Sequence, residues 1–533
     1  MSAVSNLPER VFLESSVASR LHRAEQQTER FAPAILIGLL CLFGLWAWFA
    51  SRGNHLQFDE LLELSAATAP TSRQVLSFLA AGVDFNPPLS HFLIRASTWL
   101  LGDTELAARL PAFLGLLTLL ICLYTFLSQQ LTASYGILAV LTVLCLPVRN
   151  YAVQARPYGL VLGLSGLALI LYRQATQRRK RTVTLIGLAL CTAALVASHY
   201  YAILVAGVLL AVELTSCWKD KRRQDWALLL CCAGPPVAVL LALHDAIRQQ
   251  RQVLTHYFAR GNLLSFDHGY DELAMDPLVY CIALILIIGA LVIIRGREAP
   301  STAPSVRTEL SLRDVLLGVG LLMLPVIGAF FTQFVTHAYV PRYFLPAAIG
   351  FAVCLSYSTR SFSRLLPGLT LFLIVSLGLG FGKAVLQEYS HKAEPLPSLD
   401  VLAAERTPLL FDTPANYAQI YHYFPTLRSS MWVIADPPAS LRYRQYDTDD
   451  KIMLALAQQG RAQTISLSAA VRRWPNFRLV PRSADYIWAL KCVMDVGSRI
   501  EVKHPFGNSN FVFEVRVQPE TIAQVDACAQ PAR

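Results

Sequence analysis

Residues 31–50 read FAPAILIGLLCLFGLWAWFA, an apolar run of twenty residues without a charged side chain. A helix rises about 1.5 Å per residue, so a run of this length crosses the hydrocarbon core of a bilayer, which is about 30 Å thick. Comparable runs follow at 109–127, 131–147, 158–172, 182–198, 201–217, 226–243, 277–294, 315–335, 343–358 and 365–384. The sequence therefore predicts an α-helical polytopic membrane protein with about eleven spans.

The composition of the 533 residues agrees with a membrane protein that carries some soluble mass. Hydrophobic residues make up 54% of the chain and charged residues only 15%, whereas a soluble protein has about 25% charged residues. These proportions exclude a disordered chain and a small disulfide-stapled scaffold. Nine of the 11 cysteines lie in apolar runs, where a free thiol behaves as a small hydrophobe. For Cys492 and Cys528, in the polar C-terminal region, a disulfide and two free thiols both fit.

The basic residues predict the orientation of the chain. Lys and Arg outnumber Asp and Glu by 46 to 36, a net charge of +10 that in a soluble protein would raise nucleic acid as a partner. Here many of them cluster in short loops between apolar runs, at 173–181, 219–223, 295–297 and 360–364. The positive-inside rule makes these loops cytoplasmic. We therefore expect a multi-pass membrane protein with an exported C-terminus and no nucleic-acid partner. As its location we expect the bacterial inner membrane.

The same pattern divides the chain into three parts. Residues 1–30 are expected to form a cytoplasmic segment, 31–385 a transmembrane domain with a long first exported loop at 51–108, and 386–533 a periplasmic α/β domain. Within the first loop, the apolar segment 88–101 is too short for a span and carries a stripe of His91, Arg95 and Thr98, which favours an interfacial helix. In the C-terminal domain we expect strands at 408–411, 431–435, 486–493 and 511–517, and helices at 414–423 and 451–459.

Unusual polar residues gather in the predicted exported loops. The first loop carries carboxylates, in Phe58-Asp59-Glu60 and in Asp84-Phe85-Asn86-Pro87-Pro88. Other loops carry arginines and aromatic residues, at 154–158, 199–201, 244–276 and 339–343. Guanidinium groups bind phosphate oxygens bidentately, and a carboxylate can act as a general base. Their joint placement indicates a site for an anionic substrate at the membrane surface.

Each of these residues also has a purely structural interpretation. Asp59 would serve as the N-cap of an interfacial helix, and residues 84–88 would form a turn into the next helix. Arg156 would snorkel to the interface, Arg342 with its aromatic neighbours would belong to an interfacial belt, and His199 would be an ordinary hydrogen-bonded histidine. Residue types alone leave both interpretations open.

At these residues the sequence resembles glycosyltransferase family 39, whose members have the GT-C fold and include protein O-mannosyltransferases and lipid A aminoarabinose transferases. The matching pieces occur in family order between residues 31 and 380: Asp59-Glu60, 84–89, 102–105 followed by 109–111, 154–158, 199–201 and 341–343. Many relatives have His before the Pro-Pro pair, where this chain has Asn86.

The resemblance implies a glycosyltransferase that moves a hexosyl or pentosyl group from a polyprenyl-phosphate donor to a glycan, lipid or protein acceptor on the exported side. Asp59 would be the general base of a single inverting displacement, and Asp84 is the second catalytic candidate. Candidates for substrate binding are Glu60, Asn86, Arg109, Arg156, Tyr158, His199, Tyr200, Arg342 and Tyr343, with Arg248, Arg251 or Arg260 as further cations for the phosphate. No cofactor is expected, although Asp59, Glu60 and Asp84 could hold a divalent cation. The exported domain shows no catalytic motif, so we expect it to recognise the acceptor or to pack over the site.

Two other classes of protein fit part of this pattern. A flippase or transporter for a lipid-linked glycan usually has ionisable groups near the bilayer midplane and repeat symmetry, whereas these spans are largely free of charge, with Glu213 as an exception. A membrane-anchored envelope assembly protein would bind a partner through its exported domain and would not need Asp and Arg residues in neighbouring loops. Both classes stay open as alternatives.

Overall fold

The structure is a computed structural model, and it describes residues 7–102, 104–219, 221, 224–257, 259–274, 311–360, 366–390, 407–481, 488–506 and 510–529. The predicted span at 277–294 lies outside the described residues. The described helices before residue 391 are Leu7–Gly53, Phe58–Ala67, Ser72–Ala80, Pro88–Leu101, Glu105–Ser128, Ala133–Cys145, Tyr158–Thr176, Arg181–Ser198, Ile203–Lys219, Trp226–Ala242, His244–Val253, Phe266–Ala274, Leu312–Leu322, Leu324–Phe331, Ala347–Arg360 and Leu366–Ser390.

Within the described residues, five helical stretches are long and apolar enough to cross a membrane, and the number rises to eight if each of three bent helix pairs is one span. The five are Glu29–Arg52, Glu105–Ser128, Tyr158–Thr176, Arg181–Ser198 and Tyr200–Lys219. The bent pairs coincide with the predicted runs at 131–147, 226–243 and 315–335. The polytopic helical fold is thus confirmed. The run at 343–358 contains the 14-residue helix Ala347–Arg360, and the run at 365–384 lies in helix Leu366–Ser390, whose apolar part is Leu366–Gly382.

Close packing of two spans sets the position of the loops above them. Helices Glu105–Ser128 and Tyr158–Thr176 meet at glycines: a Cβ on Gly163 would lie 2.2 Å from the carbonyl oxygen of Gly115, and one on Gly115 would lie 2.3 Å from that of Gly159. Small residues let membrane helices approach this closely. The contact holds the start of the second span, and Arg156 just before it, against the first.

Three short helices follow the first span. Phe58–Ala67 is followed by Ser72–Ala80, which begins with a capping box of Thr71 and Gln74. Pro88–Leu101 begins with a proline at its first turn, where no amide donor is needed. With 14 residues it is no candidate span, as predicted, and its Arg95 donates to the carbonyls of Ala67, Ala69 and Pro70.

The C-terminal part contains a six-stranded sheet in the order β3-β2-β1-β4-β6-β5. The strands β1 to β4 are parallel to one another, and β6 runs antiparallel to both β4 and β5. Their bounds are β1 Leu409–Phe411, β2 Met431–Ile434, β3 Thr464–Ile465, β4 Asn476–Val480, β5 Arg499–Phe506 and β6 Asn510–Arg516. The helices are Pro414–Tyr423, Pro437–Arg444, Thr448–Gln458, Leu467–Arg473, Trp488–Asp495 and Ile522–Ala529.

The prediction of a strand at 486–493 is wrong, because residues 488–495 form the helix Trp488–Asp495. Its buried residues Trp488, Ala489, Cys492 and Val493 recur at helical spacing and cover one face. Of the two alternatives left open for Cys492, the disulfide is correct, because Cys492 is disulfide-bonded; the side chain of Cys528 is not among those the structure describes.

The C-terminal domain packs on the helices of the first loop. One hydrophobic cluster combines Leu62, Val75 and Phe78 from the loop with Tyr417 and Met453 from the domain. The hydroxyl of Tyr423 accepts a hydrogen bond from the Leu56 amide at 2.8 Å. Loop 51–108 and the C-terminal domain therefore lie at the same end of the helical bundle.

Candidate functional site

Asp59 and Arg342 form an ion pair at this end of the bundle. Asp59 lies in the first turn of helix Phe58–Ala67, where free backbone amides favour a carboxylate. Arg342 lies in the short 3-10 turn Pro341–Phe344 and donates from Nη2 to Asp59 Oδ2 at 2.8 Å. The N-cap is Gln57 rather than Asp59, and Glu60 accepts the bond from the Gln57 amide. The Asp59 side chain is thus available to interact with Arg342.

Arg156 connects Asp59 with Asp84. Its Nη1 donates to the backbone carbonyl of Asp59 at 2.9 Å and to Asp84 Oδ2 at 3.1 Å. Asp84 Oδ1 accepts from the amide and the side chain of Asn86 at 2.9 and 2.8 Å, so residues 84–86 form the expected turn as well. Burial raises the pKa of Asp84, but the Arg156 guanidinium, His91 and the hydrogen bond from the Asn86 amide together outweigh burial and hold that pKa well below its usual range. Asp84 is therefore a buried anion.

Glu63 and His91 complete this buried group, and sequence reasoning did not identify either as a site residue. Glu63 lies 3.5 Å from Arg156, and neither of its carboxylate oxygens has a hydrogen-bond partner among the described residues. Burial raises the pKa of Glu63 to about 7. His91 Nε2 lies 3.8 Å from Asp84. The sequence did offer one signal for Glu63, since it follows Glu60 by three residues and so lies near it on the helix. A carboxylate at that spacing fits the polar face of a surface helix equally well.

Of the three residues predicted as possible cation ligands, Asp59, Glu60 and Asp84, only Asp84 lies in a group of potential metal ligands. Ligand atoms of Glu63, Asp84 and His91 lie within 4.8 Å of one another, whereas Asp59 and Glu60 are paired with other residues. The Arg156 guanidinium already lies 3.1 and 3.5 Å from Asp84 and Glu63 and supplies a positive charge there. A metal ion bound by the three ligand residues would have to displace that guanidinium.

Aromatic rings surround the two arginines. The guanidinium groups of Arg156 and Arg342 lie 5.8 and 5.7 Å from the ring centroid of Tyr158. Tyr343 contacts His199 at 4.5 Å between centroids and Tyr158 at 6.4 Å. Burial and the neighbouring Arg156 lower the pKa of His199 to about 3, so its imidazole is neutral. These rings form one wall around the cations.

Two further aromatic residues lie in the turn before helix Ile203–Lys219. Tyr201, which belongs to the matching piece 199–201 but was not a predicted site residue, contacts Tyr343 at 4.7 Å between ring centroids. Tyr200, a predicted site residue, is half-buried and begins the turn Tyr200–Ala202.

Three hydrogen-bond donors in this cluster have no partner among the residues that the structure describes. They are Arg156 Nε, Arg342 Nε and the Tyr158 hydroxyl, and all are buried atoms. Buried donors are normally paired. Donors of this kind around two guanidinium groups can bind an anionic group with several acceptor oxygens.

Glu60 and Arg109 interact with each other. Arg109 Nε and Nη2 donate to the two carboxylate oxygens of Glu60 at 2.9 and 3.1 Å, and Nη1 donates to the carbonyls of Ser51 and Asn54. Glu60 also accepts from the Ala155 amide at 2.7 Å. Both side chains are buried. This arrangement ties the first loop to the Arg156 loop.

The arginines of the 244–276 loop do not pair with the carboxylates of this cluster among the described residues. Arg248, Arg251 and Arg260 are exposed, and within the described ranges none forms an ion pair with Asp59 or Asp84.

A cavity of about 760 Å³ opens beside the ion pair. On one side it is lined by Gln57, Asp59 and Arg342, and on the other by residues of the C-terminal domain, including Thr413 and Asn416. The site therefore has a cationic, aromatic part around Arg156 and a polar cavity that reaches the C-terminal domain.

Comparisons with known proteins agree with this description. Residues 86–241 match the family model of dolichyl-phosphate-mannose-protein mannosyltransferases, a segment that includes Arg156 and His199 but not Asp59 or Arg342. No curated protein sequence matches the chain significantly. The match supports the predicted enzyme class, a glycosyltransferase.

Two solved structures resemble the chain over nearly its whole length. ArnT from Cupriavidus metallidurans in the apo state has a TM-score of 0.55 and 13% identity, and the alignment covers 94% of this chain and 100% of that one. The same ArnT bound to undecaprenyl phosphate has a TM-score of 0.56 and 14% identity, with 93% and 99% covered. The chain thus has a polytopic GT-C fold similar to that of ArnT, and over residues 86–241 its sequence is similar to the dolichyl-phosphate-mannose-protein mannosyltransferases.

Proposed function

We propose that the chain transfers a hexosyl or pentosyl group from a polyprenyl-phosphate donor to an acceptor hydroxyl, in one inverting displacement. The observation that carries the proposal is the ion pair of Asp59 and Arg342 at 2.8 Å, beside buried and unpartnered N–H and O–H donors. A base and a phosphate site are thereby adjacent. The structurally similar ArnT binds undecaprenyl phosphate, and the matching family is named for dolichyl-phosphate mannose.

Arg342 and Arg156 would bind the phosphate of the donor. Negative charge develops on that phosphate as the glycosidic bond breaks, and fixed cations stabilise it. Arg156 is already paired with Asp84 and Glu63. The pair of Arg342 with Asp59 is more exposed, so Arg342 is the cation that a phosphate reaches more readily.

Asp59 would act as the general base. A lone pair of the acceptor oxygen attacks the anomeric carbon, the bonding electrons of the breaking C–O bond go to the phosphate oxygen, and the hydroxyl proton goes to a carboxylate oxygen of Asp59. When the phosphate takes over Arg342, the Asp59 carboxylate loses that hydrogen-bond donor, and its oxygen is free to accept the hydroxyl proton.

The remaining candidates would bind or position the substrates. Tyr158, Tyr200, Tyr343 and neutral His199 would bind the sugar through ring faces and polar edges. Asn86 donates hydrogen bonds to Asp84 and would thereby hold the Asp84 carboxylate in position to pair with Arg156. We reassign Glu60 and Arg109 from substrate contact to positioning, because their charged groups are satisfied by each other and by backbone groups. No step of this mechanism uses a metal ion.

We further propose that the active site lies at the periplasmic face of a bacterial inner membrane. The domains would be 1–30 in the cytoplasm, 31–385 in and around the membrane with the catalytic residues, and 386–533 in the periplasm. The basic loop clusters support this orientation. The packing of the first loop against the C-terminal domain is consistent with both lying on one side.

The proposal is tested by the glycans of a strain that lacks the gene. The strain is complemented with the unsubstituted chain, with Asp59→Asn, or with Asp495→Asn, which changes an exposed aspartate of the C-terminal domain in the same way. Mass spectrometry of exported glycans and glycolipids should show a product restored by the unsubstituted chain and by Asp495→Asn only. Restoration by Asp59→Asn would favour the alternatives, a flippase or an envelope assembly protein.

A further inference from the structure

We propose that Tyr257 is a positioning residue of the active site, and that the C-terminal domain holds it in place. The inference rests on the proposed function and concerns residues 244–261, all of which the structure describes except Phe258. Sequence reasoning singled out only the arginines of this segment. Its described residues contact the first loop, the C-terminal domain and the residues just before Arg342, so we call it the crossing segment.

The crossing segment begins with helix His244–Val253, which contacts the turn that contains Asp84. The side chain of Gln250 is buried, and its Nε2 donates to the backbone carbonyls of Leu79 and Asp84 at 3.1 and 3.3 Å. These bonds connect the helix to the first loop, at the residue that pairs with Arg156. One end of the crossing segment is thereby fixed beside the buried part of the site.

The next residues of the crossing segment contact helix Thr448–Gln458 of the C-terminal domain. Lys451 Nζ donates to Thr255 Oγ1 at 3.0 Å and lies 2.9 Å from Oδ2 of Asp447. Asp447 is buried, and Nδ1 of His256 lies 3.6 Å from the same carboxylate oxygen. Lys451 therefore joins the crossing segment to a buried carboxylate of the domain.

Tyr257 follows this contact directly and lies beside the aromatic rings of the site. Its side chain forms a hydrogen bond with that of Tyr343, and Arg342 and Tyr158 are also near its hydroxyl group. Burial raises the pKa of Tyr257 to about 12, so the hydroxyl is neutral at pH 7. Tyr343 in turn contacts His199 at 4.5 Å between ring centroids. The Tyr257 hydroxyl thus helps to hold Tyr343 among the rings of the site.

The crossing segment then joins the residues that precede Arg342. The amide of Tyr339 donates to the carbonyl of Ala259 at 3.0 Å. Gly261 permits this close contact, since a Cβ at that position would collide with the side chain of Tyr339. Contacts therefore extend from the C-terminal domain, through Tyr257, to the turn that carries Arg342.

The hydroxyl of Tyr257 acts on the sugar side of the site. Tyr343 is one of the residues that would bind the sugar, whereas Arg342 and Arg156 would bind the phosphate. Loss of the hydrogen bond to Tyr343 should therefore slow the transfer of sugar more than it weakens the binding of a lipid phosphate without a sugar. A contact that only stabilised the fold would change both alike.

Tyr257→Phe tests the assignment in the full chain. The assay uses membranes of the deletion strain that contain the variant, with radiolabelled polyprenyl-phosphate sugars of the parent strain as donors. We expect transfer to slow about three- to tenfold, the range that one hydrogen bond supplies, while the affinity for undecaprenyl phosphate stays within about twofold. Tyr421→Phe, which removes a hydroxyl group from helix Pro414–Tyr423, is the matched control. Transfer at the rate of the control, or equal losses of transfer and lipid affinity, would overturn the inference.

Lys451→Met tests the role of the C-terminal domain. It should slow transfer as Tyr257→Phe does, whereas Lys491→Met, at an exposed position of the same domain, should not. Because Lys451 acts through Tyr257, the double variant should be no slower than the slower single variant. Independent, multiplicative losses would contradict the connection. If Lys451→Met lowers the melting temperature, Thr255→Val takes its place, since it keeps the ion pair of Lys451 with Asp447.

Hydrogen exchange separates a failure of this inference from a failure of the proposed function. The amide of Tyr339 should exchange about threefold or more faster in Lys451→Met than in Lys491→Met, since the crossing segment accepts its hydrogen bond. Equal exchange in the two variants would refute the connection, even where sugar is transferred. If the unsubstituted chain transfers no sugar, the proposed function fails, and the role of Tyr257 in transfer fails with it.

Discussion

Arg342 donates a hydrogen bond from Nη2 to Oδ2 of Asp59 at 2.8 Å, although 283 positions separate the two residues in the sequence. About a third of each side chain is exposed, 33% for Arg342 and 39% for Asp59. Exposed ion pairs are weak, and a phosphate can accept the guanidinium bidentately in place of the carboxylate. Binding of the donor and release of the base would therefore be coupled.

Arg342→Ala should weaken the binding of undecaprenyl phosphate by about ten- to a hundredfold, because one charge-assisted contact to the phosphate is lost. The affinity is measured by lipid titration of the protein in nanodiscs. Arg73→Ala removes an exposed arginine of the first loop and serves as the matched control. Equal lipid affinities of the Arg342 variant and the control would show that Arg342 does not bind the phosphate.

Glu63→Gln should raise thermal stability at pH 8 and flatten its dependence on pH. Burial raises the pKa of Glu63 to about 7, whereas an unfolded glutamate titrates near 4.3. Between these values the folded state binds more protons than the unfolded state, so the contribution of Glu63 to stability falls as pH rises towards 7. Glutamine cannot ionise and removes this loss.

Melting temperatures of both proteins between pH 5 and 8 check the prediction for Glu63. The unsubstituted chain should lose more stability than the Glu63→Gln variant across this range. A variant that is less stable at pH 8 would mean that ionised Glu63 stabilises the fold through Arg156.

Arg109→Met should destabilise the protein by about 3–5 kcal/mol, because it leaves the Glu60 carboxylate buried without its cation. Glu60→Gln should also destabilise, and the double variant should lose less than the sum of the two. Thermal unfolding measures all three proteins. Additive losses of stability would contradict the pairing of Glu60 with Arg109. Full stability combined with a loss of lipid binding would indicate that the two residues bind substrate.

The convergence of Asp59, Arg156 and Arg342 could be predicted because charge in the loops sets their side of the membrane. Loops on the same side of the membrane can bring residues that are far apart in the sequence into contact, and both Arg156 and Arg342 contact Asp59. The opposite roles of the neighbours Asp59 and Glu60 could not be predicted. In one helical turn, Asp59 meets Arg342 and Glu60 meets Arg109, and only the packing of the helices decides which carboxylate is buried.

Glu63 was missed because its surroundings in the sequence resemble an amphipathic surface helix. Its burial depends on the turn at Asp84 and on Arg156, which come from two other segments. The error at 486–493 has a similar origin, since a short apolar run fits a buried strand and a buried helix equally well. Tertiary packing decides such cases.

The transfer rate of the Asp59→Asn variant shows whether Asp59 is the general base. The assay follows radiolabelled sugar from polyprenyl-phosphate donors of the parent strain into acceptors in membranes of the deletion strain, with undecaprenyl phosphate affinity measured in parallel. We predict that the rate falls by about 10²- to 10⁴-fold, while the lipid affinity changes by less than about threefold because Arg342 still binds the phosphate. A transfer rate close to that of the unsubstituted chain would contradict it.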